Sequence, residues 1–240
     1  MPTQQYDTKE DVLAVAESVV HKTLREIIPA ERIPGIEAEI TRYATSRKGH
    51  FGDLVEQYVF GMENNSRSEA DFNIAGIELK TTPIKKHPKK KFVAKERLVF
   101  SMINYDKIIE EEWETSSFLK KNSVLMLLFY LYLQGQSPLD YEFEFTHLLN
   151  LLEDLSVEDA AQIRQDWETI VAKIRRGEAH LLSEGDTFYL GACTKAKNSS
   201  VVRDQPHSRI PAKPRAFSLK QTYLNYLIQK NLLGRDVDAD

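Results

Sequence analysis

The chain has 240 residues, with 32 Lys and Arg against 36 Asp and Glu and a formal net charge of −4. One cysteine, Cys193, excludes an internal disulfide framework, and a chain of this length buries a sizeable core without such staples. The longest apolar run, residues 124–133, is too short to span a bilayer, and the opening residues lack the apolar stretch of a signal peptide, so a cytoplasmic protein is expected.

From the amino terminus, Val12, Val15, Ala16, Val19, Val20, Leu24, Ile27 and Ile28 recur at helical spacing. They predict one helix over residues 8–28, capped by Asp7 or Thr8 and ended by Pro29 and Pro34. A short helix is predicted over 53–60, between Gly52 and Gly61, followed by a polar loop over 62–69. Strands over 71–74 and 77–82 flank a turn at Ala75-Gly76. A basic loop over 83–91 and a strand over 92–103 come next. The uninterrupted apolar run 124–133 reads as a buried central strand, with a turn over 134–140 after it. Ile163, Trp167, Ile170, Val171 and Ile174 line one face of a helix over 159–174, which Gly177 stops. A strand over 185–193, a loop over 199–214 and a closing helix over 217–233 complete the chain. Interspersed helices and strands predict an α/β protein with a mixed central β-sheet flanked by helices. No linker divides it, so residues 1–240 read as a single domain.

Charge is unevenly spread. Residues 84–97 hold seven basic side chains and one acid, residues 193–221 hold seven more and one acid, and residues 140–168 hold nine acids and one base. The net charge alone argues mildly against a nucleic-acid partner, but a protein acidic overall can still present a basic cleft. Either run by itself is equally well a solvated loop.

The stretch that carries chemistry is Asp71-Phe-Asn-Ile-Ala-Gly-Ile-Glu78-Leu79-Lys80. Glu78 and Lys80 lie two apart on a strand and share a face, while Leu79 points to the core. The turn at Ala75-Gly76 returns Asp71 to the neighbourhood of Glu78. Two carboxylates at one spot suit a hard cation such as Mg²⁺, and a lysine beside them can orient or help deprotonate an attacking water. That is the equipment for phosphodiester hydrolysis. The bare spacing is a weak motif, and an exposed hairpin with a surface Glu and Lys is the plain alternative. Glu56, in Lys48-Gly49-x-x-Gly52-x-x-x-Glu56, offers a third carboxylate, behind glycines that let backbone approach a phosphate. The six histidines are scattered without metal-ligand spacing, Cys193 carries no nucleophile signature, and Trp113 and Trp167 read as core anchors.

Together these blocks, with Thr81 and Pro83, resemble the MutH family of endonucleases, which includes the mismatch-repair nicking enzymes and the Sau-type restriction enzymes that cut at GATC. The likeness continues through Arg164-Gln-Asp-Trp-Glu168, Thr194-Lys195-Ala-Lys197-Asn-Ser199 and Pro214-Arg215-Ala-Phe-Ser218-Leu-Lys220, and so covers most of the chain in order. Glu96-Arg-Leu-Val99, Glu114–Leu119 and Leu182–Gly185 look closer to the restriction branch. The resemblance implies a restriction-endonuclease-like fold and Mg²⁺-dependent hydrolysis of DNA 5′ of the G in GATC, leaving 5′-phosphates.

Carried over residue by residue, the resemblance implies that Asp71, Glu78 and the Leu79 carbonyl hold the metal and that Glu56 completes the acidic cluster. Lys80 would position water and offset the developing charge. Lys121, with Lys120 as the alternative alignment, would be a further basic residue of the active site. Lys195 would read guanine in the major groove, Lys48 would meet phosphate, and Gly49, Lys197, Arg215, Ser218 and Lys220 would complete the DNA-binding set. Ser218 stands where the mismatch-repair members have a tyrosine that senses adenine methylation, which favours indifference to that methyl group. Ala70 stands where many nucleases place proline before the first Asp. Sau-type enzymes continue into a second related domain beyond this length, so the catalytic half of a longer enzyme is the alternative to a complete one. The partner is duplex DNA containing GATC, with a second copy or a second related domain needed to cut both strands. A MutH-like nickase and a non-catalytic GATC-binding module remain as other readings, the last disfavoured by an intact Asp71, Glu78 and Lys80.

Overall fold

A computed structural model describes residues 6–43, 50–62, 69–196, 198 and 200–232. In chain order the elements are α1 (Lys9–Ser18), α2 (Leu24–Ile27), α3 (Ile33–Tyr43), α4 (His50–Tyr58), β1 (Glu78–His87), β2 (Lys91–Ala94), β3 (Leu98–Met102), α5 (Tyr105–Ile108), α6 (Ser117–Asn122), β4 (Val124–Leu131), β5 (Phe143–Asn150), α7 (Val157–Arg175), β6 (Leu190–Thr194), β7 (Arg203–Gln205), β8 (Ser208–Ala212), β9 (Arg215–Leu219) and α8 (Gln221–Leu227). Short 3₁₀ turns and a final π turn, Ile228–Leu232, join or extend them. Among the described residues no helix is long and apolar enough to cross a membrane.

The chain forms two compact units, each assembled from two separated stretches: Met1–Lys95 with Val124–Leu149, and Glu96–Ser123 with Asn150–Asp240. The first unit is built on a mixed sheet in the order β2-β1-β4-β5. β1 pairs with β2 antiparallel and with β4 parallel, in a register that sets Glu78 beside Leu125 and Lys80 beside Leu127. β4 is buried along nearly its whole length, as its uninterrupted apolar sequence predicts. α1 packs on β4 and α4 on β1. Their apolar faces meet the sheet in a core that includes Val12, Leu54, Val55, Leu79, Met126, Leu128 and Phe143.

The second unit holds an antiparallel sheet in the order β3-β9-β6 and a separate β7-β8 hairpin. α7 packs on β6 and buries Ile163, Trp167, Ile170, Val171 and Ile174. Trp113 and Trp167 are both buried, with ring centroids 5.7 Å apart, as core anchors should be. Cys193 is buried too.

Several expectations are corrected. The predicted helix over 8–28 is two helices. His21 takes a left-handed φ of 63°, and Thr23 then caps α2 by accepting from the Glu26 amide while Glu26 reaches back to the Thr23 amide. Pro34 does not end a helix but sits in the first turn of α3, where its missing N–H costs nothing. The basic loop predicted over 83–91 is the end of β1, a turn and the start of β2. Its lysines disfavour a strand intrinsically, and sheet pairing overrides that preference. The single strand predicted over 92–103 divides between two sheets as β2 and β3. The acidic stretch 140–168 holds β5 and the first part of α7. The loop over 199–214 contains the β7-β8 hairpin, and β9 occupies the start of the predicted closing helix.

Candidate active site

The acidic cluster is assembled at the amino-terminal end of β1. Phe72 and Ile77 exchange backbone hydrogen bonds of 2.9 and 3.2 Å around a turn in which Gly76 takes φ 70°. That single bridge replaces the first of the two predicted strands, yet it suffices to bring Asp71 against β1. The Leu79 amide donates to Asp71 Oδ2 at 3.0 Å. Leu79 itself is a core residue, 6% exposed.

Glu78 is 3% exposed, and its Oε1 accepts a short hydrogen bond from the Lys80 ammonium on the same face of the strand. A nearly buried carboxylate persists only with a charged or hydrogen-bonded partner, and Lys80 supplies one. Glu56 comes from α4, which packs on β1; a Cβ added at Gly52 would lie 3.5 Å from the Thr81 hydroxyl. Burial chiefly, then the charges of Asp71, Asp53 and Glu78, push the Glu56 carboxyl up to about 7, with Lys80 pulling the other way. Glu56, Asp71, Glu78 and Lys80 therefore share one electrostatic environment. Asp53 joins them, and the sequence reading did not single it out. Its signal was available, because positions three apart on a helix lie on one face.

The donor chemistry fits a hard divalent cation. Asp71 and Glu78 offer carboxylate oxygens, and Mg²⁺ commonly takes one or two protein carboxylates with water filling the remaining positions. Among the described residues no three His, Cys, Asp or Glu side chains make a ready cage, and the ammonium of Lys80 partners Glu78 instead.

The other predicted site residues belong to the second unit or lie outside the described residues. Lys121 lies in the last turn of α6, half-buried, in the second unit. Lys195 follows β6, exposed, its amide donating to the Pro214 carbonyl at 2.9 Å. Arg215 and Lys220 are turned inward. Arg215 donates to the carbonyls of Ala192, at 3.0 Å, and Leu182, and Lys220 donates to those of Glu184, at 2.6 Å, and Thr187. Ser218 is 0% exposed in the middle of β9, between Val99 and Gly191 of the flanking strands. Lys48, Gly49 and Lys197 lie outside the described residues.

A residue that sequence reading placed only within a family block has a distinct structural task. Asp166 is 2% exposed. Its Oδ1 accepts from the Phe188 amide at 3.0 Å and the Gln162 amide group at 2.9 Å, and its Oδ2 from the Tyr189 and Leu190 amides at 2.6 and 2.8 Å. This fixes the entry to β6, the strand that leads directly to Lys195.

A mixed sheet with helices packed on it, and acids and a lysine gathered at the start of one strand, define the restriction-endonuclease-like class. Comparison with known proteins narrows the assignment. The family described as DNA mismatch repair enzyme MutH matches residues 60–166. The type II restriction enzyme Sau3AI of Staphylococcus aureus is 41% identical over 231 residues, spanning 96% of this chain and 44% of that protein. The DNA mismatch repair protein MutH of Shigella flexneri serotype 5b is 26% identical over 234 residues, spanning 95% of this chain and 94% of that protein. MutH of Escherichia coli O6:K15:H31 is also 26% identical. The chain is similar to the MutH and Sau-type endonucleases, and it spans less than half the length of its staphylococcal relative.

Proposed function

We propose that this chain is a type II restriction endonuclease domain that hydrolyses DNA 5′ of the G in GATC and leaves 5′-phosphates, with Mg²⁺ as cofactor. The observation that carries the proposal is the meeting of Glu56, Asp71, Glu78 and Lys80 at one end of β1, in a chain 41% identical to a restriction enzyme. Asp71 and Glu78, with the Leu79 carbonyl, would hold the cation, and Glu56 would add negative potential beside them. When bound, the cation supplies Lewis-acid stabilisation of the phosphoryl oxygens. Lys80 orients the attacking water and offsets charge on the phosphorus as the bond to the 3′ oxygen breaks. Lys121 is proposed to add a second positive charge there.

For recognition, the exposed Lys195 is the residue proposed to bond guanine O6 or N7. Lys48, Gly49 and Lys197 are proposed to contribute phosphate contacts. The inward donors of Arg215 and Lys220 suit them to shaping the segments around Lys195. Ser218 is proposed to leave the enzyme indifferent to adenine methylation. One active site cuts one strand, so a second copy or a second related domain on the same DNA is proposed to complete a double-strand break. Action on cellular DNA implies a cytoplasmic protein.

The near end-to-end match to MutH favours a second reading, a strand-specific nickase. Incubation with a GATC duplex and Mg²⁺, followed by end mapping, tests the proposal. Cuts 5′ of G on unmethylated, hemimethylated and fully methylated duplexes support it. A nick confined to the unmethylated strand of the hemimethylated duplex supports the second reading. No cleavage at GATC at high enzyme concentration contradicts both.

A further inference from the structure

β1 carries the acidic cluster at its start and a basic hairpin at its end. Lys85, Lys86, Lys89, Lys90 and Lys91 are all exposed, so the segment 85–91 presents five lysines and no acid, on a chain whose net charge is −4. The hairpin has a defined shape. Its register pairs Lys85 with Val93, Lys86 with Phe92 and His87 with Lys91. The His87 Nδ1 accepts from the Lys89 and Lys90 amides at 3.2 and 3.1 Å, and Lys91 closes the turn at a φ of 52°. Phe92 anchors the hairpin base, 4% exposed, against Phe145. Glu144 of β5 is the acid whose charge Lys86 and Lys91 reach, and Glu142 lies near it. These two carboxylates leave the segment with an excess of positive charge.

We propose that the β1-β2 hairpin is a phosphate-backbone anchor that grips duplex DNA outside the recognised sequence. The proposal rests on the endonuclease reading above. Lys86 lies eight residue steps along the strand from Glu78, which at about 3.3 Å per step spans roughly 26 Å. Laid along a duplex axis with base pairs about 3.4 Å apart, that span would correspond to about eight base pairs, farther than a four-base site extends. A rigid tip with lysines on both faces suits a sequence-independent track of phosphates, because lysine meets phosphate as a point charge. The anchor would raise local DNA concentration at the cluster, which the acidic surroundings would otherwise lower.

The test measures binding in EDTA to a GATC duplex of about 40 base pairs, to one trimmed to about 12, and to a 40-base-pair duplex with the site scrambled, each at several salt concentrations. Wild type is compared with the quadruple variant Lys85→Gln, Lys86→Gln, Lys89→Gln, Lys90→Gln, whose exposed positions leave folding intact. On the long duplex the variant is expected to bind roughly tenfold to a hundredfold more weakly at ~0.1 M salt, with a log–log salt slope shallower by about two to three. On the trimmed duplex wild type and variant should converge. Equal slopes on the long duplex overturn the proposal. So does a loss of the same size on both lengths, which would put the hairpin within the recognised site. If wild type binds scrambled and GATC duplexes alike, the site-specific reading fails, while the salt slopes still decide the hairpin.

Discussion

The amide of Leu79 donates to the carboxylate of Asp71 across the turn that precedes β1, at 3.0 Å. This bond ties one carboxylate of the cluster to the backbone of the strand that carries the other, Glu78, and the lysine, Lys80. The cluster is therefore built into the sheet rather than hung from a loop. Because β1 is hydrogen-bonded to β2 and β4, any displacement of Glu78 relative to Asp71 must break sheet or turn hydrogen bonds.

The ion pair of Lys80 with the nearly buried Glu78 makes a stability prediction separate from catalysis. Removing one partner of a buried pair typically costs about 3 kcal/mol, because the other charge is left in a poorly solvating site. Lys80→Met should lower metal-free stability by about that amount in urea unfolding. The double variant Lys80→Met, Glu78→Gln should recover most of it. A single variant as stable as wild type would show that Glu78 does not depend on Lys80.

Glu56 sets a pH dependence. Its carboxyl is raised from 4.5 to about 7 in the folded protein. The folded state therefore holds a proton that the unfolded chain has already released between these values. The stabilisation linked to that proton is complete below about pH 4.5 and is lost as pH rises through about 7. Thermal unfolding in EDTA at pH 5.5 and pH 8 should show this loss in wild type, and Glu56→Gln should flatten that part of the profile. Added Mg²⁺ should raise the midpoint more at pH 8, where Glu56 is charged, than at pH 5.5. An unchanged profile in Glu56→Gln would assign the pH dependence to other groups.

Asp166 gathers three backbone amides and a glutamine at the entry to β6. Asp166→Ala leaves those buried donors unmet, and the expected loss is about 3 kcal/mol by chemical denaturation. Asp166→Asn should be costly as well, because its NH₂ group faces donors. Hydrogen exchange should accelerate at the amides of residues 188–190 in both variants. Unaltered exchange there would show that other contacts hold this segment.

Much of the central architecture is legible in the residues. β4 shows itself by an apolar run that only a strand covered on both faces tolerates, and α7 by a clean apolar stripe ended at Gly177, with φ 73°. The pairing of Asp71 with β1 follows from one turn signal, Ala75-Gly76. Other features were hidden for identifiable reasons. Apolar periodicity runs straight through the break at His21, and only the capping pair Thr23 and Glu26 marks it. β5 buries Phe143 and Leu149 but leaves the residues between them partly exposed, so it lacks the alternation of a half-buried strand. The β1-β2 hairpin is disguised by its lysines, whose placement in a strand comes from backbone pairing rather than from their own preference. Asp53 shares a helix face with Glu56, a spacing legible in the sequence, but only the packing of α4 against β1 brings that face to the cluster.

The most direct measurement pairs binding with cleavage on one GATC duplex, for wild type, Asp71→Asn, Glu78→Gln and Lys80→Ala. Wild type with Mg²⁺ should cut 5′ of the G. Each variant should bind the duplex in EDTA within about threefold of wild type yet cleave at least about 10² more slowly, as loss of a cation-binding or charge-stabilising group predicts. Variants that cut as fast as wild type would contradict the assignment of this cluster as the catalytic centre.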